Sequence, residues 1–209
     1  MKILLQPKRL DIVPESEEER PALEAWKRKH DDFVFAAAPN AGSDATLIGL
    51  GPRAEACREP INVTSGSPEP VRLIANFAPT PFELDGMRYA CVEAFWQSLR
   101  APAPERARIA AMEGRAAKRV SEQHPYGAHV SYGGQDIPVG AYEHWQLMRR
   151  ACRAKFEQNE DARRALLATG DRPLVHRVAR DSRTIPGVIM AEIWMKLRAG
   201  LRKRGTDAS

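Results

Sequence analysis

Pro79 and Pro81 stand two residues apart within Ile74-Ala-Asn-Phe-Ala-Pro-Thr-Pro-Phe82. Together they forbid regular helix there, because each lacks an amide N–H and holds the residue before it in extended backbone. The chain must cross this stretch as a stiff loop. Phe82-Glu-Leu-Asp-Gly-Met-Arg-Tyr89 then sets Asp85-Gly86 between alternating apolar residues, which signals a two-residue hairpin turn. From Tyr89 to Arg100 the period becomes helical, with Val92, Phe95, Trp96 and Leu99 on one side and Glu93 and Gln97 one turn apart on a neighbouring face. A polar pair beside an aromatic stripe is the first mark of a site.

The 209 residues, 43% of them hydrophobic, suffice for one well-buried core and a small appendage. Ahead of the proline loop, Ile3-Leu-Leu5 and Leu10-Asp-Ile-Val13 read as short strands. Glu17 to Glu19 opens a helix that tolerates Pro21 in its first turn and continues through Leu23, Trp26 and His30. Phe33-Val-Phe35 and Thr46 to Leu50 read as strands around a Pro39-Asn-Ala-Gly-Ser43 turn. Residues 1–59 are thus expected to form a small α/β extension packed on a main domain of residues 60–204, with a disordered tail at 205–209. Ser65-Gly-Ser-Pro-Glu-Pro70 is a turn-rich joint at the start of that domain.

Downstream, Glu105 to Val120 carries Ile109, Met112, Ala116 and Val120 in helical register, and Ala141 to Gln158 carries Trp145, Met148, Cys152 and Phe156. Between them, the Gly-rich segment from His124 to Pro138 reads as a long loop of the kind that often serves function. Asp161 to Ala168 is a short helix stopped by Gly170. The last helix lies near Ile185 to Leu201, with Ile185, Ile189, Ile193, Leu197 and Leu201 on one stripe.

The formal charge of +5 invites a nucleic-acid partner, so its location matters. Lys196, Arg198, Arg202, Lys203 and Arg204 place five cations within nine acid-free residues, which leaves the rest of the chain without net charge. Cations there suit the negative end of a helix dipole; a weak contact with nucleic acid is the alternative. Cys57, Cys91 and Cys152 follow neither a disulfide framework nor a zinc spacing, and the five histidines show no ligand spacing. No metal and no cofactor are therefore expected, in a reducing compartment. The apolar N-terminal run is too short for a signal peptide and no stretch could span a bilayer, so a cytoplasmic protein without a membrane partner is expected. The absence of GxGxxG, Walker, HExxH and GxSxG motifs removes the usual warrant for a Rossmann dehydrogenase, a P-loop kinase, a zincin or a serine hydrolase.

Three groups of residues could carry chemistry. Asn76 and Phe77 are presented from the proline-stiffened backbone, which could equally be a structural crossover. Glu93 sits in a helix apolar on its inner side, where burial raises a carboxyl pKa and fits it for proton transfer; an ion pair with Arg88, Arg100 or another cation is the ordinary alternative. Lys155-Phe156 and Thr169-Gly-Asp171, followed by His176, supply a cation, a turn whose N–H groups can hold phosphate oxygens, and an imidazole. The plain readings there are a helix stop and a satisfied buried histidine.

In series, Ile74-Ala-Asn76-Phe77, the Phe82 to Gly86 hairpin, Val92-Glu93-Ala94-Phe95-Trp96-Gln97-Ser-Leu-Arg100, Met148…Lys155-Phe156-Glu-Gln158-Asn159 and Leu167-Ala-Thr169-Gly170-Asp171…Leu174-Val175 resemble the NADAR (YbiA-like) family over roughly residues 60 to 200. The resemblance implies an α+β fold, predominantly helical, with a short hairpin, and an N-glycosidase. Family members act on ribosylated pyrimidine intermediates or remove ADP-ribose from guanine, so a small nucleotide or an ADP-ribosylated base is the implied partner. Glu93 would then serve as acid/base beside the positive charge that builds on C1′ of the ribose, Phe77 and Trp96 would stack on the base, and Arg100 or Lys155 would meet phosphate oxygens. Asn76, Gln97, Thr169 and Asp171 complete the expected binding residues. Arg100 stands where the family has a lysine, Ala94 where it has a histidine, and Asp181-Ser-Arg-Thr-Ile185 lacks the family's Trp-Gly. An arginine does not deprotonate to attack C1′. The pattern therefore implies either direct attack by water, assisted by Glu93 with His176 and Asp181, or binding of NAD or ADP-ribose without turnover.

Overall fold

The computed structural model describes residues 2–6, 9–30, 33–39, 45–52 and 59–206. Strands β1 (Lys2–Gln6) and β2 (Arg9–Val13) pair antiparallel, helix α1 spans Glu19–His30, and β3 (Phe33–Pro39) pairs antiparallel with β4 (Ala45–Pro52). The strands and helix expected in the first 52 residues are all present. The 40–43 part of the expected turn, and Cys57, fall outside the described residues.

The remainder is α+β and predominantly helical. Strand β5 (Ile61–Asn62) leads through a 3-10 turn, Val71–Ile74, into the proline loop. A hairpin follows, β6 (Phe82–Leu84) with β7 (Met87–Tyr89), turning at Asp85 and Gly86 with φ of 50° and 77°. Positive φ at both turn residues is what a type I′ turn demands, and Asp-Gly supplies it at little cost. Helix α2 (Val92–Ser98) then enters the core with all seven residues buried, so it is a central rod rather than an amphipathic face. Cys91 caps its start, with Sγ accepting from the Ala94 N–H at 3.4 Å.

Two sequence expectations are corrected here. The helix read as continuous from Glu105 to Val120 is broken into α3 (Ala103–Ala110) and α4 (Gly114–Ser121). The break rotates the second half, so Gly114, Ala117 and Ser121 face inward. The segment His124 to Pro138 is not one loop: it holds the hairpin β8 (His129–Tyr132) and β9 (Gln135–Pro138), turning at Gly133 and Gly134 with φ of 59° and 77°.

The long helix α5 (Tyr142–Gln158) crosses the core with Trp145, Met148, Cys152 and Phe156 buried, as their spacing predicts. Helix α6 (Glu160–Ala168) follows and ends before Gly170, whose φ of 59° stops it. Strand β10 (Leu174–Val175) pairs parallel with β5 and brings the segment after Val175 beside Thr64 and Ser65. Helix α7 (Gly187–Thr206) closes the domain, with Ile189, Met190, Ile193, Trp194 and Leu197 joining Ile74, Phe95, Met148 and Leu166 in one core. The expected disordered tail begins inside this helix, which runs to Thr206; residues 207–209 fall outside the described residues. No described helix is long and apolar enough to cross a membrane.

Candidate functional site

A cavity of about 600 Å³ opens between the Asn76 loop with α2 on one side and the segment from His176 to Ile185 on the other. Thr64, Ser65 and Lys118 stand at its edge, and the buried Met148 and Met190 close it inside. The structure brings together Asn76, Phe77, Glu93, Trp96, Gln97, Arg100, His176 and Asp181, from segments over 100 residues apart in the chain.

Glu93 is 7% exposed. Its N–H donates to the Asn76 carbonyl at 2.9 Å, which fastens the start of α2 to the proline loop. Its Oε1 accepts from Gln97 Nε2 at 2.7 Å, the contact that their one-turn spacing allows. Behind Gln97 the chain of bonds continues: Ser121 Oγ donates to Gln97 Oε1 at 2.5 Å and Arg100 Nη2 donates to Ser121 Oγ at 2.7 Å. Ser121 has one proton to give, and the Lys118 carbonyl at 2.9 Å is its other acceptor. Each donor in the run from Arg100 to Glu93 points towards the carboxyl, so the run favours negative charge there. Burial works against that charge and wins. It pushes the Glu93 carboxyl above its ordinary range, while the Gln97 hydrogen bond and the positive charges of Lys118 and Arg100 pull the other way.

The cavity wall carries four cations, Arg100, Lys118, Arg180 and Arg183, against two acids, Glu93 and Asp181. Arg100 also lies over the Tyr126 ring at 5.2 Å. Two buried polar atoms of the wall, Asn76 Oδ1 and Arg100 Nε, have no hydrogen-bond partner. The Asn76 amide nitrogen instead faces the sulfurs of Met190 at 3.7 Å and Met148 at 4.0 Å. Buried polar groups are nearly always matched, so an unmatched acceptor and donor on one cavity wall mark places for a ligand to fill.

His176 is half-buried, with Nδ1 2.7 Å from the Val63 carbonyl and its ring edge-on to Trp194. The carbonyl accepts from Nδ1–H and so fixes the orientation of the ring. Asp181 Oδ1 accepts from the N–H groups of Ser182 and Gly187, both at 2.9 Å, and so caps α7 at the cavity edge. A Cβ on Gly187 would lie 2.2 Å from the His176 carbonyl oxygen, so only glycine lets α7 start there.

Three of the expected binding residues lie outside the cavity wall, and a fourth lines it with little of its surface exposed. Lys155 is fully buried outside the cavity, and its Nζ donates to the carbonyls of Ala75 at 2.8 Å and Ile74 at 3.1 Å. Its lack of water lowers its pKa to about 8. It supports the Asn76 loop from beneath. Thr169 and Asp171 also lie outside the cavity wall. Thr169 is bonded to the Leu166 carbonyl and to Arg198, and Asp171 pairs with Arg202. Trp96 does line the cavity, but it is 4% exposed and stacks on His144 with ring centroids 4.1 Å apart. Phe77, half-buried with Lys118 Nζ 5.9 Å from its ring centroid, is the aromatic face better placed for a base.

Lys118, Ser121, Tyr126, Arg180 and Arg183 were missed in the sequence. Gly114 was the available signal for the first two, since a glycine inside a helical pattern marks a break, and the break turns Lys118 and Ser121 towards Glu93. The tail cations also find partners. Arg198 donates to Thr169 and to the Arg172 carbonyl, Arg202 pairs with Asp171, Arg204 with Glu157, and Lys196 with Glu192.

No curated protein matches the chain. Among solved structures, the NMR structure of the E. coli protein YbiA shares its fold, with a TM-score of 0.55 and 23% identity over 74% of this chain and 92% of that one. The family model for bacteriophage protein GP30.3 matches residues 70–199, a span that holds the proline loop, α2, α4 and the His176 to Ile185 segment. With that match over more than half its length, the chain belongs to the bacteriophage protein GP30.3 family.

Proposed function

We propose that the chain is an N-glycosidase of the NADAR kind, hydrolysing the bond between a base and a ribose-phosphate or ADP-ribose moiety, with Glu93 as its acid/base group. The observation that carries this reading is the Glu93 carboxyl itself: buried, raised in pKa and held by Gln97, in a cavity whose wall carries four cations. The cations suit phosphate oxygens, and the buried Glu93 carboxyl among them suits a reaction centre that becomes positive.

In this reading the C1′–N bond breaks with its electron pair leaving on the base nitrogen, and the water oxygen bonds to C1′. Glu93 takes one proton from that water, and the leaving nitrogen gains one in turn. A carboxyl with a raised pKa exchanges protons near neutral pH more readily than an ordinary glutamate. Phe77 stacks on the base, Asn76 Oδ1 accepts from a hydroxyl or N–H of the substrate, and Arg100 meets phosphate. His176 and Asp181, on the opposite wall, orient the water and the ribose hydroxyls. The partner is a small nucleotide or an ADP-ribosylated base, and the place of work is the cytoplasm.

Purified protein should release free base from ADP-ribosylated guanine or from a ribosylaminopyrimidine phosphate, and Glu93→Gln should slow this by about 10²- to 10⁴-fold. Consumption of neither substrate, or a Glu93→Gln rate equal to the wild type, would remove the reading. Arg100 favours a second reading, a non-catalytic sensor of NAD or ADP-ribose, because a guanidinium held by Ser121 and Tyr126 is built to bind rather than to attack. Calorimetric binding without product in the same samples would select the sensor.

A further inference from the structure

A second cavity, of about 560 Å³, lies on the far side of Phe77 and shares Phe77 and Ser65 with the first. Phe77 is the divider, and α4 fixes its place: a Cβ on Gly114 would come within 2.9 Å of Phe77 Cδ1, so the ring lies directly against the first turn of that helix. Lys118 and Arg115, three residues apart and hence neighbours on α4, fall on either side of the divider. Lys118 lines the first cavity and Arg115 the second. Among the described residues neither forms a salt bridge or a side-chain hydrogen bond. Arg72 also lines the second cavity, but Glu69 holds it at 2.8 Å, and Glu113 is the one acid there. Ala78, Pro79, Ala90 and Cys91 give this cavity an apolar side.

We propose that the second cavity holds the distal nucleoside of a two-part ligand whose linking phosphates cross Phe77 between Lys118 and Arg115. This rests on the reading of the first cavity as the place of the glycosidic ribose, and it selects the ADP-ribose class over the ribose monophosphate class. A ribose 5-phosphate ends at the divider. A pyrophosphate-linked ligand continues past it, meets Arg115, and lays its second base on the apolar side, where the guanidinium can also stack on that base.

The test is calorimetric titration of ADP-ribose and of ribose 5-phosphate into the wild type, Arg115→Ala and Arg115→Glu. Arg115 is exposed, so both variants keep the fold, which a thermal melt verifies. The wild type should bind ADP-ribose at least about tenfold more tightly than ribose 5-phosphate, as a charge-assisted contact and a buried base together provide. Arg115→Ala should bring the two within about twofold by weakening ADP-ribose alone, and Arg115→Glu should weaken it further. Equal affinities in the wild type, binding of neither ligand, or equal losses for both ligands in Arg115→Ala would overturn the proposal. Base release measured on the same preparations separates the two readings. Release without a preference for ADP-ribose sinks the second cavity and keeps the glycosidase, whereas the preference without release from either substrate does the reverse.

Discussion

The wall from Asn76 to Arg100 and the corner at Thr169-Gly-Asp171 both carry hydroxyls, carboxylates and arginines, and they use them differently. At the corner the polar groups answer one another within the protein. Thr169 Oγ1 donates to the Leu166 carbonyl at 2.6 Å and accepts from Arg198 at 2.7 Å, Arg198 also reaches the Arg172 carbonyl at 2.8 Å, and Asp171 pairs with Arg202. The result is a clamp between the end of α6 and α7. Along the wall, Asn76 Oδ1 and Arg100 Nε are left without partners, and the Glu93 carboxyl is buried with its pKa raised. A buried unmatched polar group costs about 1–3 kcal/mol, so the wall carries a strain in stability that a bound ligand would relieve. Between these two regions it is the state of satisfaction, not chemical type, that differs.

This contrast can be broken by experiment. The largest effect should come from Lys155→Met, which leaves the Ile74 and Ala75 carbonyls buried without a donor. It should lower unfolding stability by about 3 kcal/mol in denaturant titration and weaken ligand binding as well, because the Asn76 loop loses its support. At the corner, Arg198→Ala should cost about 2 kcal/mol, the scale of hydrogen bonds from a charged group, while ribose 5-phosphate affinity stays within about twofold of the wild type. At the wall, Asn76→Ala should do the opposite. Its stability should hold or rise by about 1 kcal/mol, since the change removes a buried oxygen without a partner and an amide with only weak sulfur contacts, while ligand affinity falls by about tenfold. An Arg198→Ala that loses affinity, or an Asn76→Ala that unfolds, would erase the distinction.

Much of this architecture was legible in the residues. Asp85-Gly86 can hold positive φ at both turn positions, the prolines keep regular helix out of the Asn76 loop, whose Asn76 and Phe77 lie in a turn closed by the Ala78 N–H on the Ala75 carbonyl at 3.1 Å rather than in extended backbone, and the stripe from Ile185 to Leu197 faces the core as its period demands. What was hidden depended on rotation and depth. The period through Met112, Ala116 and Val120 continued past Gly114, so the break there, and with it the turning of Lys118 and Ser121 towards Glu93, was missed. Lys155 looked like a phosphate ligand because a lysine's composition cannot show whether its ammonium meets solvent or two carbonyls in the core. Arg180 and Arg183 reach the cavity only because β10 pairs with β5, a two-residue parallel contact that no local pattern announces.

The central claim is that the Glu93 carboxyl moves the proton in glycosidic cleavage, and the rate of base release as a function of pH tests it most directly. As the proton acceptor Glu93 must be ionised, and its folded pKa is raised by burial above the ordinary value of 4.5. The rate should therefore fall on acidification along a limb centred above pH 4.5, and Glu93→Gln should show only a small residual rate at every pH. A limb at or below the ordinary glutamate value, or a Glu93→Gln profile that follows the wild type, would contradict the account.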